Sequence, residues 1–476
     1  MLMGYAKIGL KAGLEIHQQL DTNKLFCACP SVIRKDKPDL VVTRELRPLA
    51  GETGEIDPAA IFEGKKRKFY KYEAYNDTTC LVELDEEPPH KINQEALEAA
   101  LLVAKMLHCD IPETIQIMRK TVVDGSNTSG FQRTCLIGTN GYLDTKYGKV
   151  GIQNINLEED ACRRTNEDKE SVTFRLDRLG IPLIEIGTAP DIKTPEQGRE
   201  LAEKIGMLLR STGKVKRGLG TIRQDLNVSI KGGTRIEIKG VQALKQIPAL
   251  IEKEVERQQK IIAKKQKVKP EVRNAQEDGT TKFLRPLPGA ARMYPETDIP
   301  LIPISRLRIE TLKIPESIAK KEERFVKLGL SKDLAQTMSR WKNVKLFEKL
   351  VKENPKVKPN VIASTLLSIP KQVKKKVDHK FIPTDEQYAI VFSLLNKGKI
   401  VKEALLDIFV ELSKQKDIEK VIIDFEKLSD KELKEEIKNI KEKNKSASEG
   451  KLIGIAMSKL RTRADPKKIM QLIKKT

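Results

Sequence analysis

The sequence predicts an α+β domain around a largely antiparallel sheet, followed by an all-α helical domain and a small helical tail domain. Three observations carry this expectation. Residues 1–300 are rich in Gly, Pro, Thr and short apolar stretches separated by turns, the pattern of strands that pair locally. From Leu307 onward, apolar residues recur at helical spacing almost throughout. The charge balance shifts in the same region: residues 301–476 hold 41 Lys and Arg against 24 Asp and Glu, whereas the first 300 hold 48 against 43. The expected domains are therefore 1–300, 301–415 and 416–476.

Asn93 to His108 places Ala96, Leu97, Ala100, Leu101 and Ala104 on a helical period. Leu183 to Ile186 reads as a short buried strand between Pro182 and Gly187. Thr194 offers an N-cap and Pro195 a first-turn residue for a helix reaching Ser211, with Leu201, Ile205 and Leu208 on one face. Thr234 to Ile238 alternates as a strand does. A further helix is expected within Lys239 to Lys265, then a linker or hairpin over Gln266 to Lys282. Pro286, Pro288, Pro295, Pro300 and Pro303 exclude a regular helix and mark the exit from the first domain. Short helices follow at Glu316–Leu328, Lys332–Ser339, Lys345–Lys352, Val361–Ser368, Asp385–Leu395 and Lys402–Leu412, the pattern of a bundle. Lys431–Asn444, Lys451–Leu460 and Pro466–Ile473 form the tail.

With 39% hydrophobic and 33% charged residues, the chain suits a globular protein with a substantial core. No apolar run reaches about 18 residues, so no membrane span is expected. The N-terminal segment lacks the apolar stretch and cleavage site of a secretory signal, which makes the cytoplasm the expected location. The net charge of +22 fits either a polyanionic partner or lysine-rich solvated faces; charge alone does not separate them. Of the six cysteines, only Cys27 and Cys29 are close in sequence. No second Cys-x-x-Cys or His pair follows, so zinc, which needs four ligands, is not expected.

Four segments of the first domain concentrate polar chemistry. In Gly13-Leu14-Glu15-Ile16-His17, strand alternation puts Glu15 and His17 on one face, where a carboxylate and an imidazole can converge on a cation; two ligands do not complete a site. Glu158, Glu159 and Asp160 are adjacent acids in apolar surroundings and require solvent, cations or a metal. Arg163 and Arg164 are available for purely structural pairing. Glu185 lies within an apolar strand, and a buried acid needs a partner or a metal. Arg223, Asp225, Asn227 and Ser229 alternate onto one face, with Glu237 and Lys239 shortly after. That mixture suits a nucleotide with its Mg²⁺, and equally an ordinary solvated strand face. Asp124 to Gly130 could present backbone N–H groups to an anion, although it lacks the Gly-Lys-Ser/Thr of a P-loop and, taken alone, reads as an ordinary turn. No serine cluster of the amidase kind and no Cys-His signature is present.

Taken together, the colinear stretches GLEIHQQLDT..KLFC, ELDEEPP, GSNTSGFQRT, NLEED, DRLGIPLIEIGTAPD, IRQDLNVSI, EIKGVQAL, RPLPGAARMYPETD and GKLIGIAMSKLRTRADPKKI resemble the B/E family of tRNA-dependent amidotransferase subunits. GSNTSGFQRT and LPGAARMYPETD are closest to its archaeal E branch. The resemblance spans nearly the whole chain. It implies a cradle-shaped catalytic domain, a helical domain and a tail that approaches tRNA. It also implies a ligase reaction in which ATP, with Mg²⁺, phosphorylates the γ-carboxylate of Glu-tRNA(Gln) and ammonia displaces the phosphate. The ammonia would come from a separate asparaginase-like D subunit within a heterodimer or heterotetramer. On this basis the catalytic set is Glu15, His17, Glu158, Glu159 and Glu185. Glu15, His17, Glu159 and Glu185 form the expected metal shell, with Glu158 and Asp191 as further candidates. Arg223, Asp225, Asn227, Glu237 and Lys239 are assigned to the nucleotide, and Ser126, Asn127 and Thr128 to phosphate or substrate. Lys459, Arg461, Arg463, Lys467 and Lys468 are assigned to tRNA. Two departures stand out. The E branch commonly carries an inserted synthetase-like domain ahead of RPLPGAARMYPETD, and Ala263 to Lys282 is too short to be one. Some B subunits bind zinc through Cys-x-Cys plus Cys-x-x-Cys, and the second pair is missing here.

Overall fold

The computed structural model describes residues 2–45, 68–122, 124–287, 293–445 and 447–475. Pro288 and the motif residues 289–292 lie outside them. The chain divides into two compact units, Met1–Pro315 and Glu316–Thr476.

In the first unit, α1 (Leu2–Lys7) leads into β1 (Lys11–Gln19). β2 (Leu40–Glu45), β3 (Phe69–Ala74) and α2 (Gln94–Met106) follow. Next come β4 (Thr114–Ile115), β5 (Ile117–Thr121), β6 (Phe131–Thr145), β7 (Gly148–Glu159), β8 (Arg163–Glu167), β9 (Ser171–Arg175) and β10 (Pro182–Thr188). After these come α3 (Pro195–Ser211), β11 (Ile222–Ser229), β12 (Ile236–Val241), α4 (Ile247–Ala263), β13 (Glu271–Ala275), β14 (Thr281–Pro286), β15 (Met293–Pro295), β16 (Ile302–Pro303) and α5 (Arg306–Thr311). Ten strands make one sheet in the order β14-β13-β12-β11-β1-β10-β7-β6-β5-β15. It is antiparallel apart from the β12–β13 pair. A smaller sheet runs β2-β3-β9-β8.

Alternation gives the large sheet two unlike faces. Leu14 and Ile16 of β1, Ile184 and Ile186 of β10, Leu157 of β7 and Leu226 of β11 are buried in one core, together with Leu97 and Leu101 of α2, Leu201 and Ile205 of α3, and Leu250 and Ile251 of α4. The three helices thus cover the apolar face. Residues of opposite parity in the same strands, Glu15, His17, Glu185, Asn156 and Asp225, belong to the other face, which carries the polar groups described below.

α3 begins where expected: the Thr194 side chain accepts a hydrogen bond from Gln197 N, and Pro195 stands in the first turn. The helix expected within 239–265 starts only at Ile247. Lys239 instead belongs to β12, whose ladder with β11 and β13 satisfies that backbone. Of the two readings for 266–282, the hairpin holds, as β13 pairs with β14. The first unit extends past 300 to Pro315 because β16 pairs with β4. Lys105 Nζ also donates to the backbone carbonyls of Ile309 and Leu312.

The second unit is helical, as the spacing predicts: α6 (Ile318–Lys327), α7 (Lys332–Ser339), α8 (Val344–Glu353), α9 (Pro359–Val377), α10 (Asp385–Asn396), α11 (Leu405–Ser413), α12 (Ile418–Asp424), α13 (Asp430–Lys443), α14 (Glu449–Leu460) and α15 (Pro466–Lys475). α9 continues through Pro370 beyond the expected end at Ser368. Its buried Ile369 and Val373 keep the apolar stripe in register. Two separate buried clusters form, one from Phe325 to Val421 and one from Leu428 to Ile473. Among the described residues, no helix is long and apolar enough to cross a membrane.

Candidate active site

β1 lies between β10 and β11, with Glu185 opposite His17 on one side and Asp225 opposite Glu15 on the other. The shared face therefore gathers side chains from distant parts of the sequence. His17 Nε2 lies 3.5 Å from Glu15 Oε1, 3.5 Å from Glu185 Oε2 and 3.8 Å from Glu158 Oε1. One donor atom each from Glu15, His17 and Glu185 fall within 4.8 Å of one another. Lys120 of β5 completes the group, with Nζ 3.5 Å from Glu158 Oε2 and 3.7 Å from Glu185 Oε2. Side-chain exposure rises from 2% at Glu158 to 32% at Glu15, so the cluster opens toward solvent on the Glu15 side.

Three acids this close cannot share the same protonation behaviour. Burial, reinforced by the charge of Glu185, pushes Glu158 up to about 7. Burial also opposes the charge on Glu185, but its hydrogen bond with His17 and the Lys120 cation outweigh it and hold this acid at about 2. Asn156 Nδ2 adds a 3.1 Å hydrogen bond to Glu185 Oε1. Burial works against His17 protonation too, yet Glu185 and the charges of Glu158 and Glu15 raise the imidazole above its ordinary value. Burial and Glu185 raise Glu15. Glu158 Oε2 is buried, has no hydrogen-bond partner among the described residues and faces the Lys120 cation at 3.5 Å. Three carboxylates that face only His17 and Lys120 make a region suited to a further cation.

Glu159 is not part of this group. Adjacent strand residues point to opposite faces, and Glu159 instead receives a 3.2 Å hydrogen bond from Arg133 Nη1. Arg133 Nε also donates to Glu296 Oε2 at 2.8 Å. Burial pushes Glu159 up to about 6, against the pull of Arg133. A small void lies here, lined by Phe26, Glu83, Thr128, Arg133 and Glu159 among others. The expected four-residue shell is thus corrected in one member: the fold places Glu158 beside His17 and turns Glu159 away. Asp191 is also elsewhere, accepting a hydrogen bond from Gly151 N at 3.0 Å.

The nucleotide candidates form a preorganised ionic frame next to Glu15. Lys239 Nζ sits 2.7 Å from both Asp225 Oδ2 and Glu237 Oε1. These carboxylates raise the lysine despite its burial. Asn227 pairs with Gly13 on β1 and with Glu237 on β12. Arg223 Nη2 donates to Asp160 Oδ1 at 2.9 Å. Asp160 also accepts from Gln19 Nε2 at 2.7 Å, tying β1, β11 and the end of β7 together.

The loop around Ser126 packs on the smaller sheet. Tyr72 Oη donates to Gly125 O, and Cys162 N to Ser126 O. Gly125 has φ +78°, and a Cβ there would lie 2.3 Å from the Tyr70 ring, so only glycine fits. Ser126 Oγ donates to Asp124, and Thr128 Oγ1 to Glu83 O. Asn127 is buried, with no hydrogen-bond partner for either side-chain polar atom among the described residues.

In the second unit, Lys459, Arg461 and Lys467 are exposed. Arg463 Nε donates to Glu426 O, and Lys468 pairs with Asp430, so these two also serve the fold.

Sequence reading missed Lys120, Asp160 as an organising acid, and a cluster formed by Cys27, Cys29, Cys80 and Glu83. Nothing local marks Lys120, whose relevance depends on strand order. Cys80-Leu81-Val82-Glu83 did carry a signal: it has the spacing of a Cys-x-x-Cys pair, with a carboxylate at the second position.

Comparison with known proteins adds two kinds of match. Residues 10–310 match the family described as GatB/GatE catalytic domain, and residues 345–476 match the family described as GatB domain. The chain is 38% identical to the E-type component of glutamyl-tRNA(Gln) amidotransferase from Methanocaldococcus jannaschii, across 100% of this chain and 99% of that protein. It is 38% identical to the protein of the same name from Sulfurisphaera tokodaii, across 99% of each. The Saccharolobus solfataricus protein of that name is 37% identical across 99% of this chain and 98% of its own length. The first of these alignments is 627 positions long for a chain of 476 residues. The relative therefore carries sequence with no counterpart here.

Proposed function

The chain belongs to the GatB/GatE family, and from that premise we propose that it is the tRNA-dependent component of a cytoplasmic glutamyl-tRNA(Gln) amidotransferase, a ligase that converts Glu-tRNA(Gln) to Gln-tRNA(Gln). In this reading ATP phosphorylates the γ-carboxylate of tRNA-bound glutamate, and ammonia from a partner asparaginase-like D subunit displaces the phosphate. The carrying observation is the convergence of Glu15, His17, Glu185, Glu158 and Lys120 on the polar face of the large sheet.

Activation is needed because a free carboxylate would have to expel oxide. Glu15, His17 and Glu185 fit a divalent cation, because their donor atoms converge and their negative charge is only partly offset. A bound Mg²⁺ supplies charge neutralisation for a phosphoryl group. Lys120 holds Glu158 and Glu185 in place and contributes positive charge beside the transferring group. Glu158, buried beside Lys120 and His17, is assigned as the proton acceptor when the attacking nitrogen forms the amide and phosphate departs. The Asp225–Lys239–Glu237 frame and Arg223 flank the opening at Glu15 and are assigned to the nucleotide. Lys459, Arg461 and Lys467 offer exposed cations to the tRNA backbone.

The test is amidation of defined Glu-tRNA(Gln) with ATP, Mg²⁺ and ammonium chloride, which removes the need for a partner chain. Gln-tRNA formation with Glu-tRNA-dependent ATP hydrolysis is expected. ATP hydrolysis that is indifferent to Glu-tRNA would overturn the reading.

A further inference from the structure

We propose that one end of the large sheet, where the α1–β1, β11–β12 and α4–β13 connections meet, grips the phosphate backbone of the substrate's tRNA; this rests on the reading of the chain as acting on Glu-tRNA. Residues 5–11, 229–235 and 260–270 carry nine Lys or Arg and no Asp or Glu, although acids make up 67 of the 476 residues overall. Lys7 and Lys11 come from the first stretch, Lys231 and Arg235 from the second. The third supplies five lysines, four of them between 264 and 269. All nine cations are exposed, and none is ion-paired among the described residues. The next acid along the chain, Glu271, is already engaged by Arg257 and Arg273.

Short contacts hold the three stretches together. Lys231 N donates to Ile8 O at 3.0 Å. Thr234 N donates to Gln258 Oε1 of α4 at 3.3 Å. Ile236 pairs with Glu271 in the β12–β13 ladder, which brings Arg235 beside the entry to β13. α4 ends in a tight turn, with Lys265 N donating to Ile262 O, Gln266 N to Ile261 O and Lys265 at φ +56°. Val268, buried among the lysines, pins the rest of that connection. The cations therefore stand on a fixed backbone, and less ordering entropy is lost when a ligand binds them.

This end of the sheet is continuous with the candidate active site. Alternation carries the polar face of β1 from His17 and Glu15 through Gly13 to Lys11, and that of β12 from Lys239 and Glu237 toward Arg235. Glu15 and Lys11 are separated by about 13 Å along the strand. A substrate whose reacting end lies at Glu15 and whose body carries a phosphate on every nucleotide can meet both. Such contacts position the polymer without reading its bases. A protein partner is a poorer match, because protein interfaces are depleted in lysine and centre on apolar side chains. No large apolar side chain of the three stretches is exposed among the described residues.

Charge reversal in the full-length chain, Lys264→Glu with Lys265→Glu and Lys267→Glu, tests the proposal by filter binding of Glu-tRNA(Gln) over a series of salt concentrations. Affinity at low salt should fall by about tenfold or more, and the plot of log affinity against log salt should become shallower by roughly two units, as lost phosphate contacts release fewer counterions. The KM for Glu-tRNA should rise while the KM for ATP stays. Lys231→Glu with Arg235→Glu, in a different stretch, should shift binding the same way, and it replaces the triple variant if thermal melts show that one misfolded. Wild-type affinity and salt slope in the folded variants overturn the proposal. So does intact tRNA binding with loss of ammonia transfer from a partner protein, which would mark a protein interface. A wild-type chain that neither binds nor amidates Glu-tRNA overturns the proposed function and this inference with it, an outcome distinct from failure of the variants alone.

Discussion

Glu158 and Glu159 are chemically identical neighbours whose environments differ because consecutive strand residues face opposite ways. The first lies beside Glu185, His17 and Lys120; the second is held by Arg133. Glu158→Gln should lower amidation by about 100-fold or more, since a proton acceptor of this kind contributes about 10²–10⁴ in rate. Glu159→Gln should keep activity within about tenfold and reduce stability by roughly 1–2 kcal/mol through a weakened buried ion pair. Single-turnover amidation and thermal melts of both variants separate the roles; the reverse order of effects would reject the assignment of faces. Lys120→Met removes the cation that compensates Glu158 and Glu185. Amidation should fall by at least about tenfold with tRNA affinity unchanged, and a filter-binding control checks the second half of that expectation. The alternation of Glu15 with His17, and the improbability of an acid in the apolar run around Glu185, were visible in the sequence. Which of two adjacent acids joins them was not, because that depends on the parity with which β7 meets β10.

At the scale of elements, the large sheet works as a partition: helices on one face, reactive groups on the other. Its packing leaves little room at several glycines. A Cβ at Gly141 in β6 would lie 2.4 Å from Cys109 Sγ and 2.5 Å from Leu107 O. Gly141→Ala should therefore destabilise the protein by about 1–3 kcal/mol. Gly206 in α3 has nothing within 4 Å of an added Cβ, and Gly206→Ala should stabilise by about 0.5–1 kcal/mol. Denaturant melts of the two variants should move in opposite directions, and equal shifts would contradict the packing described. α3 was legible in detail because capping and amphipathic spacing are local. The strand at Lys239 was not, because β12 exists through hydrogen bonds to β11 and to β13.

At the scale of the whole molecule, the first unit carries the candidate chemistry and the second carries most of the excess positive charge. The cluster from Leu428 to Ile473 is a core of its own, so a chain ending at Lys427 removes the tail without exposing the cluster from Phe325 to Val421. This truncation should weaken Glu-tRNA binding by about tenfold or more and reduce the salt dependence of the remaining affinity, because each lost phosphate contact releases one fewer counterion. Filter binding at two salt concentrations decides it: equal affinity and equal salt slope in full and shortened chains would show that the tail is not the tRNA arm. The shortened chain should still bind ATP, measurable by equilibrium dialysis.

The residue pattern alone gave away the division into a sheet-rich first part and a helical second part, helix starts such as that at Pro195, the charge asymmetry and the family. All of these are written in local spacing, composition or colinear motifs. Three-dimensional packing alone sets Lys120 against Glu158, gives Glu159 to Arg133, and brings Cys80 and Glu83 to Cys27 and Cys29. Those contacts depend on strand order, on register parity and on the path of two loops. The strand order and parity are fixed by burying one apolar face of the sheet against α2, α3 and α4, a cooperative condition that no short stretch of sequence records.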